Sequence, residues 1–164
     1  MEMCDKDYIT EHFNLSELVH SNTAKKRGIN NNPPLWVEKN LREACEKLWE
    51  PAREILGHPM KISSGYRSEA LNKAIGGSMT SAHTYGLAID FTSPYGNTTE
   101  VVKLLAKELK AKGIPWDQMI LEYPNSPNGG WVHLGYKSRD GKQRGQTLVI
   151  NKGTGYVHKD FTRL

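Results

Sequence analysis

The chain has 164 residues, enough for one domain whose core needs no disulfide staple. Apolar residues make up 37% and charged residues 24%, a polar but globular balance, and no stretch approaches the ~18 apolar residues of a membrane span, so no membrane insertion is expected. The net charge of +4 would suit an anionic partner, but the basic residues are scattered, which argues against nucleic acid and for a solvated basic surface.

The two cysteines, Cys4 and Cys45, are too few for a disulfide framework and lack CxxC spacing; both are expected as free thiols. The N-terminus, MEMCDKDYIT, has no apolar signal core, so synthesis in the cytoplasm is expected.

Residues 1–12 are expected to form a flexible tail leading into a first loop. Ser16 is expected to cap a helix through SELVHSNTAKK that Gly28 stops. GINNNPP (28–34) reads as a loop. A helical period returns from Leu35 to about Leu56, with Pro51 kinking or dividing it. MKISS (60–64) reads as a strand, SEALNKAI (68–75) as a short helix, and GLAIDFT (86–92) as a second strand. Asn97 caps a helix that runs to Lys112, with Glu100 placed for a capping box. DQMILEY (117–123) and WVHLGY (131–136) read as two strands joined by PNSPNGG, and TLVIN (147–151) as one more. The order predicts an α+β fold in a single domain over residues 1–164, with a small antiparallel sheet and helices packed on one side.

The chemistry concentrates in three segments. In SAHTYGLAID (81–90), His83 offers a neutral nitrogen and Asp90 an anionic oxygen, both suited to zinc. In WVHLGY, apolar Val132 and Leu134 would face the core and leave His133 on the opposite face with Trp131. Singly, each residue could equally be a strand or loop side chain; together they make three donors, the usual number at a catalytic zinc that keeps a fourth position open. Glu122 sits on the neighbouring strand. The seven-residue loop leaves the register open, and pairings of Glu122 with Trp131 or His133 would turn its carboxylate toward the same face as a proton shuttle. In SSGYRS (63–68), Arg67 presents a planar fork that could hold a carboxylate or polarise a carbonyl.

SGYRS (64–68), SxHxxGxAxD (81–90) and WVH (131–133), in that order, resemble the M15 family of zinc peptidases, which includes D-Ala-D-Ala carboxypeptidases and phage endolysins that cut L-Ala-D-Glu bonds. LNKAIGGSMTSAH (71–83), FNLSEL (13–18) and GINNNPP look like the phage-type members, so the resemblance spans roughly residues 12–136. It implies one zinc ion on His83, Asp90 and His133, Arg67 as a substrate-orienting or carbonyl-polarising residue, and Ser81 as a hydrogen-bonding support that lines the substrate site. Many members carry their catalytic acid three positions before the last histidine. That position here is Gly130, and the QxIxE pattern of Gln118–Glu122 points to Glu122 instead, with Asp117 as the alternative.

The resemblance implies hydrolysis of peptidoglycan peptides, by a D-Ala-D-Ala carboxypeptidase-like or an L-Ala-D-Glu endopeptidase cut; the small size and the missing signal core suggest a monomeric phage endolysin that reaches the wall after holin-type release. The competing reading is a non-catalytic, zinc-containing wall-binding module. His12, His20, His58 and His158 match no motif and read as surface or structural. Trp116 and Trp131 are candidates for either groove or core, and Lys137, Arg139, Lys142 and Arg144 for a basic patch.

Overall fold

The computed structural model describes residues 7–162, so Cys4 lies outside the described residues. In chain order the elements are α1 (Leu15–Val19), α2 (Asn22–Arg27), α3 (Leu35–Ala44), a π turn (Cys45–Trp49), α4 (Glu50–Leu56), β1 (Lys61–Ser64), α5 (Glu69–Ala74), a 3₁₀ turn (Ala82–Tyr85), β2 (Ala88–Thr92), α6 (Thr98–Ala111), β3 (Gln118–Glu122), β4 (Trp131–Gly135), β5 (Gln146–Ile150) and β6 (Val157–His158). The strands form one sheet in the order β1-β2-β4-β3-β5-β6.

The α+β class is as the sequence predicts, with one difference in the sheet. β5 runs parallel to β3, because the chain after β4 crosses past β3 instead of turning back beside β4. The crossover is fixed by an ion pair, Arg144 donating to both carboxylate oxygens of Asp117 at 2.7 and 2.8 Å.

Alternation along the strands separates two faces. Ile89, Phe91, Met119, Leu121, Val132 and Leu134 are buried against α3, the π turn, α4 and α6, where Leu41, Leu48, Trp49, Leu105 and Leu109 complete the core. The helices cover this face and leave the other for the candidate site. No helix among the described residues is long and apolar enough to cross a membrane.

Three local expectations are corrected. Residues 7–12 do not hang free: Thr10 Oγ1 and His12 N donate to Glu50 Oε1 at 2.7 and 2.6 Å, and Arg42 donates to the Ile9 carbonyl. The helix expected over 16–26 is two, broken at extended His20 and Ser21; Asn14 caps the first in a capping box with Glu17, and Ser21 caps the second. Pro51 does not break off the helical run, which passes through the π turn and continues as α4 to Leu56. It lacks the N–H that would bond residue 47, and the preceding turn widens so that Glu50 N–H reaches the Cys45 carbonyl.

Gly65 allows the close approach that positions the site loop. A Cβ there would lie 2.2 Å from the Leu18 carbonyl oxygen, the same oxygen that accepts from Tyr66 N at 2.7 Å. Gly65→Ala is expected to cost ~2–3 kcal/mol by forcing backbone apart, read as a lower urea midpoint at unchanged slope.

Candidate active site

Strand register assembles the site. Asp90 pairs with His133 across β2 and β4, and Ile120 pairs with His133 across β3 and β4. Glu122 pairs with Trp131, one of the two registers that turn its carboxylate onto the exposed face. His83 arrives from the 3₁₀ turn, whose first N–H groups are organised by Ser81: its hydroxyl accepts from His83 N at 3.3 Å and from Arg67 Nη2 at 3.4 Å.

His83 Nε2 lies 3.2 Å from Asp90 Oδ1, and His133 Nδ1 lies 3.1 Å from the same oxygen. One ligand atom from each of the three residues falls within 4.8 Å of the other two. The donor set fits a metal cation. His83 Nδ1 is 2.8 Å from the Gly65 carbonyl, so a proton on Nδ1 leaves Nε2 with its lone pair toward Asp90. Complete burial pushes the His83 pKa down, against the pull of Asp90, which favours that neutral imidazole. Burial opposes the Asp90 carboxylate, yet the adjoining His83 and the hydrogen bond from His133 hold it ionised, well below the usual carboxylate range. Burial also opposes a charged His133, but the bond to Asp90 and the charges of Asp90 and Glu122 raise its pKa. Two nitrogens thus converge on one anionic oxygen, where a divalent cation can replace a shared proton.

Glu122 stands beside this cluster. Trp131 Nε1 donates to its Oε2 at 2.7 Å and fixes its rotamer. The Trp131 ring leans on Tyr123 at 5.4 Å, so the indole, expected to contact substrate, also serves as the clamp on Glu122. Burial and the Asp90 charge raise the Glu122 pKa, with His133, Trp131 and Arg67 acting the other way. Gly130 explains why no acid stands three positions before His133. It has φ 68, and a Cβ there would sit 2.0 Å from the Glu122 carbonyl oxygen. The alternative acid, Asp117, is held by Arg144.

All seven residues singled out, Arg67, Ser81, His83, Asp90, Glu122, Trp131 and His133, line one cleft of about 660 Å³. Arg67 is half-buried, and its Nε has no hydrogen-bond partner among the described residues. Burial lowers its pKa, opposed by Asp90 and Glu122.

Sequence reasoning missed two sets of residues. Gln118, Gln146, Leu148, Tyr156 and His158 also line the cleft, although His158 reads from sequence as surface or structural. Gln118 lies on β3, and the pairing of β5 and β6 beyond it brings the other four to the cleft. Asn31 belongs to the loop expected over GINNNPP, yet its side chain donates to the Val19 and Tyr66 carbonyls at 2.8 and 3.1 Å and accepts from Ser68 N at 2.7 Å. These bonds hold the turn that carries Arg67. Asn31→Ala is expected to cost ~1–3 kcal/mol and to lower kcat/KM through a displaced Arg67, checked by thermal melts beside steady-state kinetics.

Two expectations resolve against the groove. Trp116 is core, 7% exposed, with its indole N–H on the Gln146 carbonyl. The basic patch disperses into separate contacts: Lys137 with Glu43, Arg139 over the Tyr85 ring, Lys142 with Asp140 and Arg144 with Asp117.

A family model described as Peptidase M15 matches residues 11–120 of the 164, more than half of the chain. No curated protein matches it. The matched span carries Arg67, Ser81, His83 and Asp90, and it stops two residues before Glu122; β3 and β4 bring Glu122 and His133 onto the same face. The chain therefore belongs to the peptidase M15 family, a family of metallopeptidases.

Proposed function

We propose that this chain is a zinc-dependent hydrolase of bacterial cell-wall stem peptides, with His83, Asp90 and His133 as the ligands of one ion. The observation that carries the reading is the convergence of those three donors within 4.8 Å, beside a carboxylate clamped on the same sheet face. Bound zinc supplies the Lewis acid that acidifies a water and polarises the scissile carbonyl.

The chain's own groups divide the remaining work. Glu122, held by Trp131, accepts the proton of the attacking water and returns it to the leaving amine. Arg67, steadied by Ser81 through Nη2, offers the terminal donors of its guanidinium to the substrate's carbonyl or carboxylate oxygen. Ser81 thus acts on two fronts, capping the His83 turn and orienting Arg67. A wall-binding module without turnover would have no use for a raised, clamped carboxylate next to the donor cluster, so hydrolysis is the reading we favour. Within the family we favour the phage endolysin type, on the likeness of residues 71–83 to that group's approach to its first ligand. Such an enzyme is made in the cytoplasm and meets the wall after the membrane is opened.

Clearing of a purified peptidoglycan suspension tests this. Turbidity is expected to fall with zinc-loaded protein, to hold steady under a chelator, and to fall again when zinc is restored. Equal clearing in chelator would overturn the metal-dependent reading.

A further inference from the structure

We infer that β5 and β6 form the second half of the cleft, a subsite for several residues of a peptide with short side chains, on the far side of Glu122 from Arg67. The inference rests on the peptidase reading above.

Register places the subsite. Asp90 pairs with His133, His133 with Ile120, Ile120 with Leu148, and Leu148 with His158. These five residues make one row across β2, β4, β3, β5 and β6, and all five line the same cleft. Strands lie ~4.8 Å apart, so the row runs on for ~14 Å beyond His133, room for about four extended residues at ~3.4 Å each.

The chemistry along this row suits a peptide main chain. Ile120 and Leu148 form an apolar floor, each 5% exposed, which receives methyl-sized side chains and gives long ones no pocket. Beside them, Gln118 Nε2 donates to Gln146 Oε1 at 2.8 Å. That bond uses one donor and one acceptor, which leaves the Gln118 oxygen and the Gln146 amide hydrogens for alternating N–H and C=O groups. Tyr156, 57% exposed, stands at the rim. A phenol keeps its proton through neutral pH, so the hydroxyl is a donor there. Arg144, which also lines the cleft, is taken up by Asp117.

Isothermal titration separates the subsite from the catalytic centre. Zinc-loaded Glu122→Gln protein is titrated with a purified muropeptide carrying a complete stem peptide, and with the dipeptide D-Ala-D-Ala. Adding Gln146→Ala and Tyr156→Ala, both on the cleft rim, is expected to weaken the muropeptide about tenfold or more and the dipeptide less than twofold. Equal weakening of both ligands, or a muropeptide affinity unmoved within twofold, overturns the subsite. Wild-type hydrolysis of the muropeptide is followed in parallel. No hydrolysis together with the tenfold weakening keeps the subsite and overturns the peptidase reading instead.

Discussion

Glu122→Gln is expected to lower kcat by ~100- to 10,000-fold while zinc content stays at the wild-type level. Glutamine preserves the volume and the acceptor that Trp131 needs, so the clamp at 2.7 Å survives. It cannot take a proton from water. Glu122 lies outside the three-donor cluster, and the metal should remain. Kinetics paired with metal analysis of the same sample separates the outcomes: a loss under tenfold, or one that appears only in KM, would remove Glu122 from the proton path. Its titration gives a second reading. In chelated protein the Glu122 carboxyl is expected to titrate above the ordinary glutamate range, because burial and Asp90 disfavour its charge. Such a group holds its proton over a wider acid range, so the base form is lost sooner as pH falls. Adding zinc should move the titration back down, since a nearby cation stabilises the carboxylate. Carbon-detected NMR of the labelled side chain would register both movements.

Asp90→Asn is expected to weaken zinc binding by at least ~100-fold, because loss of even an outer partner costs ~10- to 100-fold. Asp90 is the single anion shared by both imidazoles, and the amide that replaces it keeps the shape and removes the charge. Metal removal from the native protein should also be visible as lost stability. At zinc 1,000-fold above Kd, binding to the folded state alone contributes ~4 kcal/mol, or roughly 8–16 °C in Tm for a chain of this size. A calorimetric scan with and without chelator measures this. An unchanged Tm would mean that the buried cluster is satisfied by its own hydrogen bonds and holds no metal.

The elements legible from sequence are those whose signals are local. Asn97 accepts from Glu100 N at 2.9 Å and starts α6 as its cap predicts, and Gly113 ends it with φ 66. The alternation in WVHLG and AIDFT places His133 and Asp90 opposite the core because apolar neighbours flank each one. The hairpin register was illegible, because a seven-residue loop admits several pairings. It is set by contacts within the loop: Tyr123 at φ 54, Ser126 bonding back to its carbonyl, and Asn128 accepting from Gly130 N. The parallel placement of β5 was equally hidden, since it depends on Asp117 and Arg144 meeting 27 positions apart. The half of the cleft that β5 and β6 supply was lost with it. Asn31 escaped notice because a loop asparagine carries no sign of the distant carbonyls it will serve.

The most direct test of metal-dependent wall-peptide hydrolysis is mass spectrometry of purified muropeptides incubated with the zinc-loaded protein and with chelated protein. The account predicts a new, lighter product in the zinc sample alone, whose mass names the bond: loss of one alanine for a carboxypeptidase cut, an internal fragment for an endopeptidase cut. Muropeptides that survive intact with zinc restored would contradict it and leave a protein that binds wall peptides without cutting them.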